Sequence, residues 1–581
     1  MAALTDLGQS LFGVFKGNPV LATSILIATL GIGLYALYRR ALPRPYPDIP
    51  YNEHSANRIL GDLPDLISYM EKEDNGNIVS YWLSALKRLD SPIAQVFLDP
   101  FHPGKPYIVV ADFDAAQEVT ANNKVFDRAQ ITIDTLTGLA PDHHINKKTG
   151  PDWKAHRMLI QDPMTPSFLH SVAAPAIHSK ALDLVQLWRV KAAVAQGRPF
   201  EAGEDMHLAA LDAVCAFAFG EQFGHSATGN VLKQTKALQQ QSKNNQVTNL
   251  DEPVAFPKAK TDPVLDSTMK LTNMVGEAIN AISPRLWWDY LLKITPRGRK
   301  AVKDKWAFVT EELRGAVKRM EDEVPIRAAV DHMVQREKKA AEKTGRKPNY
   351  FNDTMVDETF GFIIAGHDTT STALVWALKF LADNQNVQKK LRDTLHKAYG
   401  HAKMEARNPT AGEITSTQIP YLEAVSEEVL RLCGAVPSVE RDALADTEVL
   451  GYPIPKGATL LLLTAGPTIA KPALGNTKKE SKSKWDSDDI TAFRPERWLA
   501  KNNGDAESFD PMAGPMFAFG GGQRMCYGRR LAYMEMKLIL TLVLWNFELL
   551  PCPEKLSGYK TVLALTNRPK DCYVRLREVE Y

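Results

Sequence analysis

The stretch Pro515-Met-Phe-Ala-Phe-Gly-Gly-Gly-Gln-Arg-Met-Cys-Tyr-Gly-Arg-Arg-Leu-Ala532 places one cysteine, Cys526, in a glycine-rich loop that leads directly into a helical pattern. The glycines let the backbone turn tightly and approach a flat partner closely. Because free N–H groups and the helix dipole stabilise negative charge before a helix, the Cys526 thiolate is favoured here. A thiolate held in this way is a strong axial ligand for haem iron.

The same stretch resembles the haem-binding signature of the cytochrome P-450 family, Phe-x-x-Gly-x-Arg-x-Cys-x-Gly. The matching residues are Phe519, Gly522, Arg524, Cys526 and Gly528. Five fixed positions within ten residues make the match specific. The resemblance implies haem b as the cofactor, Cys526 as the axial ligand of its iron, and Arg524 as a contact to a haem propionate. The alternative is a glycine loop around a buried structural cysteine.

Composition and charge exclude several other classes of function. The chain has 581 residues and a formal net charge of +2, so nothing points to nucleic acid and no such partner is expected. The five cysteines are widely spaced and form no CxxC or CxH pattern, which argues against a zinc site or a disulfide framework. This cysteine usage fits a reduced, cytosol-facing domain.

The N-terminal part contains an uncharged, almost wholly apolar run, 19–38, after a short segment, 1–18. Twenty apolar residues are enough to cross a bilayer core, so 19–38 is predicted to be a transmembrane anchor helix. Arg39 and Arg40 follow at once, and the positive-inside rule then places the rest of the chain in the cytosol. The alternative, a cleaved signal peptide, would have a shorter apolar region.

The rest of the chain is predicted to be a stiff proline-rich linker, 39–51, followed by one large domain, 52–581. Its fold class is mainly α with a smaller β-rich region, because helical patterns dominate from about Asp152 onward. Near the start of the domain, Ala94–Asp99 and Tyr107–Ala111 are predicted to form a β-hairpin.

Three further segments carry structural expectations. In the region 240–298, Pro253, Pro257 and Pro263 argue for a loop. Within this region, Ser283–Trp288 is an aromatic-rich patch, for which buried core is favoured over a membrane-interface contact. Thr561–Leu565 and Cys572–Leu576 are predicted to form a last hairpin. The segment 465–489 is long and basic, and most of it is predicted to be a solvated loop whose course stays open.

A long apolar helix is predicted from Met355 to Ala382, and its pattern is interrupted by the polar residues 367–370. A hydroxyl and a carboxylate are costly in an apolar helix unless they are satisfied or used. A threonine hydroxyl can bond to the backbone carbonyl one turn back and open the helix locally. Such an opening would hold water and pass protons. A helix with a satisfied internal cap is the alternative.

Residues 365–370, Ala-Gly-His-Asp-Thr-Thr, resemble the oxygen-activation motif of the same family. The match implies that Thr369 is the alcohol and Asp368 the acid of a proton relay. His367 is larger and more polar than expected between its neighbours, and we expect it to face the substrate.

Two other motifs resemble family patterns that hold the cofactor and its loop. Glu428 and Arg431 lie on one helix face, a spacing common on solvated helices. With Arg497 they resemble the family's buried Glu–Arg–Arg triad, which implies a structural role through charge-assisted bonds.

Trp153 and Arg157 match the family's Trp-x-x-x-Arg pattern, whose members contact a haem propionate. A stacked surface pair is the alternative. His156 and Arg441 are further propionate candidates.

The resemblance covers roughly residues 43–577, with the motifs in the family's order. It implies the cytochrome P-450 haem-thiolate fold and a monooxygenase that inserts one atom of O2 into a lipophilic organic substrate. It also implies electrons from NADPH-cytochrome P-450 reductase, and we expect Arg529, Arg530 and Lys537 to face that partner. The expected location is the endoplasmic reticulum membrane, in contact with lipid, with a single span and the domain in the cytosol.

The general style of the chain resembles fungal microsomal members, many of which tailor secondary metabolites; this is an analogy. Two alternatives stay open: a haem-thiolate isomerase or dehydratase that does not use O2, against which Asp368 and Thr369 argue, and a non-catalytic haem-binding or sensor protein. The substrate is not identified by the sequence. The candidate pocket residues, by motif neighbourhood, are Ile131–Leu139, Ile364, His367, Val436, Val439 and Leu565.

Overall fold

The structure, a computed structural model, describes residues 19–73, 76–100, 102, 104–241, 249–475, 489–501 and 507–580. The predicted segment 1–18 and nearly all of the charged loop before Asp489 lie outside these residues.

The described α-helices account for most of the ordered backbone, in agreement with the predicted class. They are α1 (Pro19–Ala41), α2 (Glu53–Ala56), α3 (Leu63–Lys72), α4 (Ile78–Arg88), α5 (Phe113–Ala121), α6 (Gln130–Leu136), α7 (Pro151–Leu159), α8 (Pro166–Phe168), α9 (Ala174–Ala195), α10 (Gly203–Phe219), α11 (Ala227–Gln241), α12 (Pro263–Ile279), α13 (Pro284–Ile294), α14 (Pro296–Glu321), α15 (Ala329–Lys343), α16 (Asp353–Asp383), α17 (Gln385–Ala398), α18 (Gly400–Met404), α19 (Ala411–Ser416), α20 (Pro420–Cys433) and α21 (Arg529–Asn546).

The strands are short and lie in the N-terminal and C-terminal parts of the domain. They are β1 (Ile93–Val96), β2 (Tyr107–Val110), β3 (Phe126–Arg128), β4 (Phe200–Glu201), β5 (Ser438–Ala443), β6 (Thr447–Val449), β7 (Tyr452–Ile454), β8 (Thr459–Leu463), β9 (Leu499–Lys501), β10 (Glu507–Phe509), β11 (Phe547–Leu550), β12 (Thr561–Leu563), β13 (Asn567–Pro569) and β14 (Tyr573–Glu578).

The region 240–298 is more helical than predicted. Pro253, Pro257 and Pro263 were expected to mark a loop. The first two do lie in irregular backbone, but Pro263, like Pro284 and Pro296, stands in the first turn of a helix. In that position the missing N–H has no intrahelical partner to lose, and the fixed φ angle suits the helix. The prediction of a loop over this region was therefore wrong for α12, α13 and the start of α14.

The core is built around the two helices α10 and α16, which pack along each other. Both are buried on nearly all faces, because they are apolar almost all round rather than along one stripe. Helix α16 runs without a break from Asp353 to Asp383, so the polar residues in its middle do not open it. The site is therefore carried by a rigid, central element.

The β-rich region is a five-stranded sheet with the order β1-β2-β8-β5-β3. The predicted hairpin is present, since β1 and β2 pair antiparallel with Ile93 opposite Val110. Strand β8 pairs parallel with β2 and antiparallel with β5. This sheet connects the N-terminal part of the domain with the segment that follows α20.

The C-terminal pairing differs from the prediction. Strand β12 pairs with β13 in a tight hairpin, and Leu563 lies opposite Asn567. The next strand, β14, pairs instead with β11 and β4 in a separate three-stranded sheet. The hairpin predicted between Thr561–Leu565 and Cys572–Leu576 was wrong, because the alternating side-chain pattern does not identify the partner strand.

The aromatic patch is partly core and partly surface. Trp288 is buried, and its Nε1 donates to the carbonyl of Thr135 at 2.8 Å. Trp287 packs against the same core, whereas Leu286 and Tyr290 on α13 are exposed.

Helix α1 is three residues longer than the predicted run 19–38, and its side chains from Thr23 to Arg40 are exposed. Judged by length and apolarity together, none of the helices in the described part of the chain qualifies as a membrane span.

Candidate active site

The cysteine loop is folded by its own backbone and by its contact with α5. The N–H of Cys526 donates to the carbonyl of Phe519 at 2.9 Å. Gly522 has φ +65°, and a Cβ added there would lie 1.9 Å from the carbonyl oxygen of Thr120, so only glycine fits this contact. Helix α21 begins at Arg529, three residues after the cysteine, as the sequence predicted.

Part of Cys526 is accessible to solvent, and the residue lines a groove beside the cysteine loop. Burial raises its pKa, while the Gly528 N–H and the guanidinium groups of Arg157 and Arg529 act in the opposite direction. The sequence-based expectation that the helix start alone favours the thiolate was therefore too simple. An iron ligated by the sulfur would supply the remaining stabilisation of the thiolate.

Two cations and two rings lie in contact close to the cysteine. The Arg157 guanidinium lies 3.7 Å from the ring centre of Tyr527 and 5.3 Å from that of Trp153. The Arg524 guanidinium lies 4.7 Å from the ring centre of Trp153. The structure thus brings together Trp153, Arg157 and Arg524, which the sequence motifs had identified separately.

Four arginines form a buried or half-buried cluster beside this stack: Arg128, Arg157, Arg441 and Arg524. Burial and the charge of Arg128 lower the pKa of Arg524 to about 9 and that of Arg441 to about 10. Across the described residues, no carboxylate oxygen forms an ion pair within 4 Å of any of the four. The cluster therefore has more positive charge than the neighbouring side chains neutralise.

Unpaired hydrogen-bond donors in the arginine cluster indicate what kind of ligand the cluster would bind. The Nε of Arg128 and the Nε and Nη1 of Arg524 are buried and have no hydrogen-bond partner in the structure. A buried, uncompensated charge is strongly destabilising, so the cluster calls for an anionic partner with several acceptor oxygens. The two propionates of haem have this chemistry, and the cysteine loop lies beside the arginine cluster. The residues present therefore fit haem.

Arg128 is a site residue that the sequence reasoning missed. It ends strand β3, far from every recognised motif, and no spacing or composition marks it. His156, a predicted propionate candidate, is engaged elsewhere: its Nδ1 lies 2.8 Å from a carboxylate oxygen of Glu358. In this structure His156 therefore contacts Glu358, and the prediction that it contacts a haem propionate was wrong.

The middle of α16 is accessible at only a few positions. Ala365 is exposed and Gly366 and Thr369 are partly exposed, although the residues around them are buried. The Thr369 hydroxyl donates to the carbonyl of Ala365 at 2.6 Å, the back-bond that the sequence predicted, but the helix stays closed. A hydroxyl is thereby presented at an accessible point of an otherwise apolar helix.

The side chain of Asp368, the acidic neighbour of Thr369, lies in the buried interior and not at the accessible part of the helix. The Asp368 carboxylate is buried; its Oδ1 lies 3.2 Å from Nε2 of His207, and its Oδ2 accepts from the Thr566 hydroxyl at 2.9 Å. His367 is buried as well, bonds through Nδ1 to the carbonyl of Ile363 at 2.7 Å, and does not face an accessible surface. The expectation that His367 faces the substrate was therefore wrong.

The Glu428, Arg431 and Arg497 side chains are brought together and are fully buried. Arg431 binds Glu428 with two donors, Nε to Oε2 at 2.8 Å and Nη2 to Oε1 at 2.7 Å. Arg497 approaches Glu428 to 3.5 Å and Asp489 to 3.0 Å. Arg431 also donates to backbone carbonyls of the segment that leads to the cysteine loop. The geometry fits a structural clamp.

A second buried carboxylate on α16 was not anticipated from the sequence. Glu358 is bonded by the imidazoles of His144 and His156, at 2.8 Å each, and lies 3.4 Å from Nε2 of His143. Burial acts to raise its pKa, but the neighbouring histidines hold the pKa well below its usual range. Burial lowers the pKa of His143 to about 3. This cluster ties the segment before α7 to the long helix.

A groove of about 1030 Å³ lies along the outer side of the cysteine loop and α21. Of the three basic residues expected to face a partner, only Arg530 is exposed. Arg529 packs over the rings of Phe519 and Tyr533, and the Lys537 ammonium donates to the carbonyl of Thr417 at 2.7 Å. All three residues line this groove, so the expectation that they face a partner stays a prediction.

Comparison with known proteins gives consistent matches. The family model Cytochrome P450 matches residues 92–574. The chain is 38% identical to the cytochrome P450 monooxygenase TRI13 of Fusarium sporotrichioides, over 94% of this chain and 98% of that protein. It is also 38% identical to the cytochrome P450 monooxygenase xilC of Penicillium rubens, over 95% and 96% respectively.

A solved structure described as "Crystal structure of cytochrome P450DA heme domain" has the same fold, with a TM-score of 0.65 at 19% identity. The match covers 92% of this chain and 98% of that one.

The cysteine loop, the anion-seeking arginines and the central helix define a haem-thiolate protein. The chain belongs to the cytochrome P450 family, with haem ligated by a cysteine thiolate, and it is a haem-dependent monooxygenase. Membership implies O2, a redox partner and a small-molecule substrate.

Proposed function

We propose that this protein is a membrane-anchored monooxygenase that inserts one atom of O2 into a lipophilic small molecule of fungal secondary metabolism, with electrons from NADPH-cytochrome P450 reductase. The observation that carries the proposal is the accessible hydroxyl of Thr369 in an otherwise buried helix, next to an acid, Asp368. An isomerase that does not use O2 has no need for a hydroxyl and an acid in this arrangement.

The side chains of the site have distinct roles in this proposal. Haem, when bound, supplies the activation of O2. Cys526 binds its iron, and Arg128, Arg157, Arg441 and Arg524 orient it by neutralising the propionates.

Thr369 and Asp368 hold and move protons. The Thr369 hydroxyl is anchored on Ala365 and can exchange that acceptor for a water, whereas Asp368 is the nearby acid that restores the proton. Since Asp368 accepts from Thr566 and lies against His207 in this structure, delivery to Thr369 proceeds through a turn of the carboxylate or through water.

Two observations support a lipophilic substrate from secondary metabolism. The candidate pocket residues are mostly apolar, and Val436 is exposed among them. The relatives from Fusarium and Penicillium are named monooxygenases, and a 40% identical relative from Dothistroma septosporum, matching 43% of this chain, is named after a cluster.

Helix α1 supports the membrane part of the proposal. It contains 23 residues, exposes apolar side chains such as Leu30 and Leu34, and ends with Arg39 and Arg40 in its last turn. By the positive-inside rule the domain then lies on the cytosolic side of the endoplasmic reticulum membrane. The exposed Leu286 and Tyr290 of α13 offer a second apolar contact to the lipid.

The catalytic part is tested with the metabolite that accumulates when the gene is deleted in its own organism. Microsomes containing this protein and the reductase should convert that metabolite in an NADPH-dependent reaction and incorporate one atom from ¹⁸O₂. Conversion without NADPH and without label would show an isomerase, and absence of any conversion by the haem-loaded protein would contradict the proposed activity.

The anchor is tested separately by deleting residues 1–42. The shortened protein should move largely from carbonate-washed membranes to the soluble fraction while it keeps its haem. Full-length protein that carbonate already extracts would refute the anchor and leave the oxygenase proposal intact.

A further inference from the structure

The acid of the proposed proton relay lies against two side chains from other parts of the chain. The Asp368 Oδ2 accepts from Thr566, which is itself bonded to Thr372 at 2.8 Å, and both threonines are buried. The Asp368 Oδ1 faces His207 on α10, whose side chain is 22% exposed. Among these bonded neighbours, His207 is therefore the one that connects the buried acid with an accessible surface.

We propose that His207 is a positioning residue for the monooxygenase reaction: it fixes the Asp368 carboxylate and returns to it each proton that the relay consumes. This inference rests on the proposed relay through Asp368 and Thr369. It goes beyond that relay because it identifies where the acid obtains its next proton.

Each ring nitrogen of His207 has a polar neighbour, which gives a proton an entry at one nitrogen and an exit at the other. In the resting arrangement the Nε2 of His207 lies 3.2 Å from Asp368 Oδ1, and its Nδ1 accepts from the Ser371 hydroxyl, 2.7 Å away. The Ser371 oxygen also lies 3.2 Å from the carbonyl oxygen of Asp368, so its O–H has a second acceptor. The hydroxyl can therefore turn while the ring stays in place.

The proton balance follows from that turn. A solvent proton binds Nδ1 of His207, the new Nδ1–H donates to the Ser371 oxygen, and the Ser371 O–H turns to the Asp368 carbonyl. The Nε2–H bond of His207 breaks, and its proton forms the O–H bond on Asp368 Oδ1. One proton enters at Nδ1 and one leaves at Nε2, and the ring is neutral before and after. Loss of the Nδ1 proton to solvent and uptake of one proton from solvent at Nε2 then restore the starting tautomer for the next turnover.

The charged groups around His207 support a neutral resting ring. Burial and the adjacent His367 and Arg568 lower the pKa of His207 to about 4, although Asp368 acts in the opposite direction. The rings of His207 and His367 meet edge to face, with centroids 5.2 Å apart. A neutral imidazole has one donor and one acceptor nitrogen, as the exchange requires.

Two substitutions of His207 distinguish its two proposed functions, which are to hold the Asp368 carboxylate and to pass a proton to it. His207→Gln keeps an N–H donor near Asp368 but cannot exchange a proton, and His207→Leu removes both functions. The matched control is His225→Gln, because His225 also bonds an aspartate, Asp262 at 2.9 Å, outside the site.

The assay needs no identified substrate. NADPH oxidation and O2 uptake are measured with purified reductase in H₂O and in D₂O. Because proton transfer typically contributes about 10²–10⁴-fold and water can replace part of it, both His207 variants should slow NADPH oxidation about tenfold and change the solvent isotope effect. The His225→Gln protein should behave like the wild type. Haem loading, read from the reduced CO spectrum, should be unchanged in all three.

An infrared difference spectrum adds a readout that does not depend on turnover. The carboxylate band of Asp368, identified by its loss in Asp368→Asn, should shift in His207→Leu and stay in place in His225→Gln. An unshifted band would refute the contact between His207 and Asp368.

The outcomes distinguish this inference from the function on which it rests. Wild-type turnover in His207→Gln with a defect in His207→Leu would refute proton return, and wild-type turnover in both would refute the whole inference. Should Asp368→Asn alone be defective, the relay would stand without His207. Should Asp368→Asn also behave like the wild type, the relay itself would fail.

Discussion

Replacement of Arg431 is predicted to prevent folding of the haem-loaded protein, more severely than replacement of Arg497. Arg431 is fully buried and binds both oxygens of Glu428, as well as the carbonyls of Ile469 and Ile490 at 2.7 and 2.8 Å. Breaking a buried pair costs about 3–5 kcal/mol. Each stranded carbonyl adds about 1–3 kcal/mol, so Arg431→Met should cost at least about 5 kcal/mol.

Arg497→Ala should lower the free energy of unfolding by less, about 3 kcal/mol, because Glu428 keeps its two bonds from Arg431. Since domains are stable by only about 5–15 kcal/mol, the first variant should yield almost no haem-loaded protein and the second a reduced amount. The amount is measured from the reduced, CO-bound spectrum. The control Arg314→Met breaks an exposed pair with Glu311 and should load normally.

A double variant tests the physical reason. Glu428→Gln combined with Arg431→Met removes the stranded charge, so it should recover part of the yield lost in Arg431→Met, since neutral replacements of buried ion pairs are often tolerated. If the double variant loads no better than Arg431→Met, an uncompensated charge is not the cause. Normal haem loading with lost turnover in Arg431→Met would contradict the structural role altogether.

Three further predictions concern the ligand, the relay and acid stability. Cys526→Ser should lose the red-shifted thiolate Soret band of the reduced CO complex, and survival of that band would disprove the assignment. Thr369→Ala should keep its haem but lower the product formed per NADPH at least about tenfold, with peroxide rising, while Thr369→Ser retains the hydroxyl and most of the coupling. The pKa of His143 in the folded protein lies below its unfolded value near 6.5, so His143 takes up a proton when the protein unfolds below that pH. The free energy of unfolding should therefore fall by about 2 kcal/mol between pH 6.5 and pH 5. His143→Asn should flatten the pH dependence of the thermal midpoint, and equal slopes in both proteins would contradict this.

Local patterns in the sequence predicted the helices and the motif residues well. The cysteine loop, the start of the helix behind it and the hydroxyl of Thr369 each belong to a pattern that spans no more than about ten residues. Local chemistry, such as glycine where a backbone approaches closely, therefore marks them directly. Trp153, Arg157 and Arg524 were also identified, because each belongs to a short pattern.

Contacts between distant segments could not be predicted in the same way. Arg128 completes the arginine cluster from a short edge strand, and His207 reaches Asp368 across 161 positions of sequence. The pairing of β14 with β11 and not with β12 is of the same kind. A single side chain produces no periodic pattern or characteristic spacing in the sequence. A contact between residues so far apart is therefore visible only in the folded structure.

The long helix α16 shows why these distant polar contacts matter for the site. An apolar helix can slide or rotate in an apolar core at little cost, because hydrophobic contact is not directional. Buried polar groups on α16 each require particular partners: Asp357 binds Lys305 at 2.7 Å, Glu358 binds the histidine cluster, and Asp368 accepts from Thr566 and lies 3.2 Å from Nε2 of His207. A shift by one residue would leave each of these groups unpaired at a cost of about 1–3 kcal/mol or more. The polar pairs therefore fix the rotation of α16, and that rotation is what presents Thr369 at the accessible point while it turns Asp368 toward its source of protons.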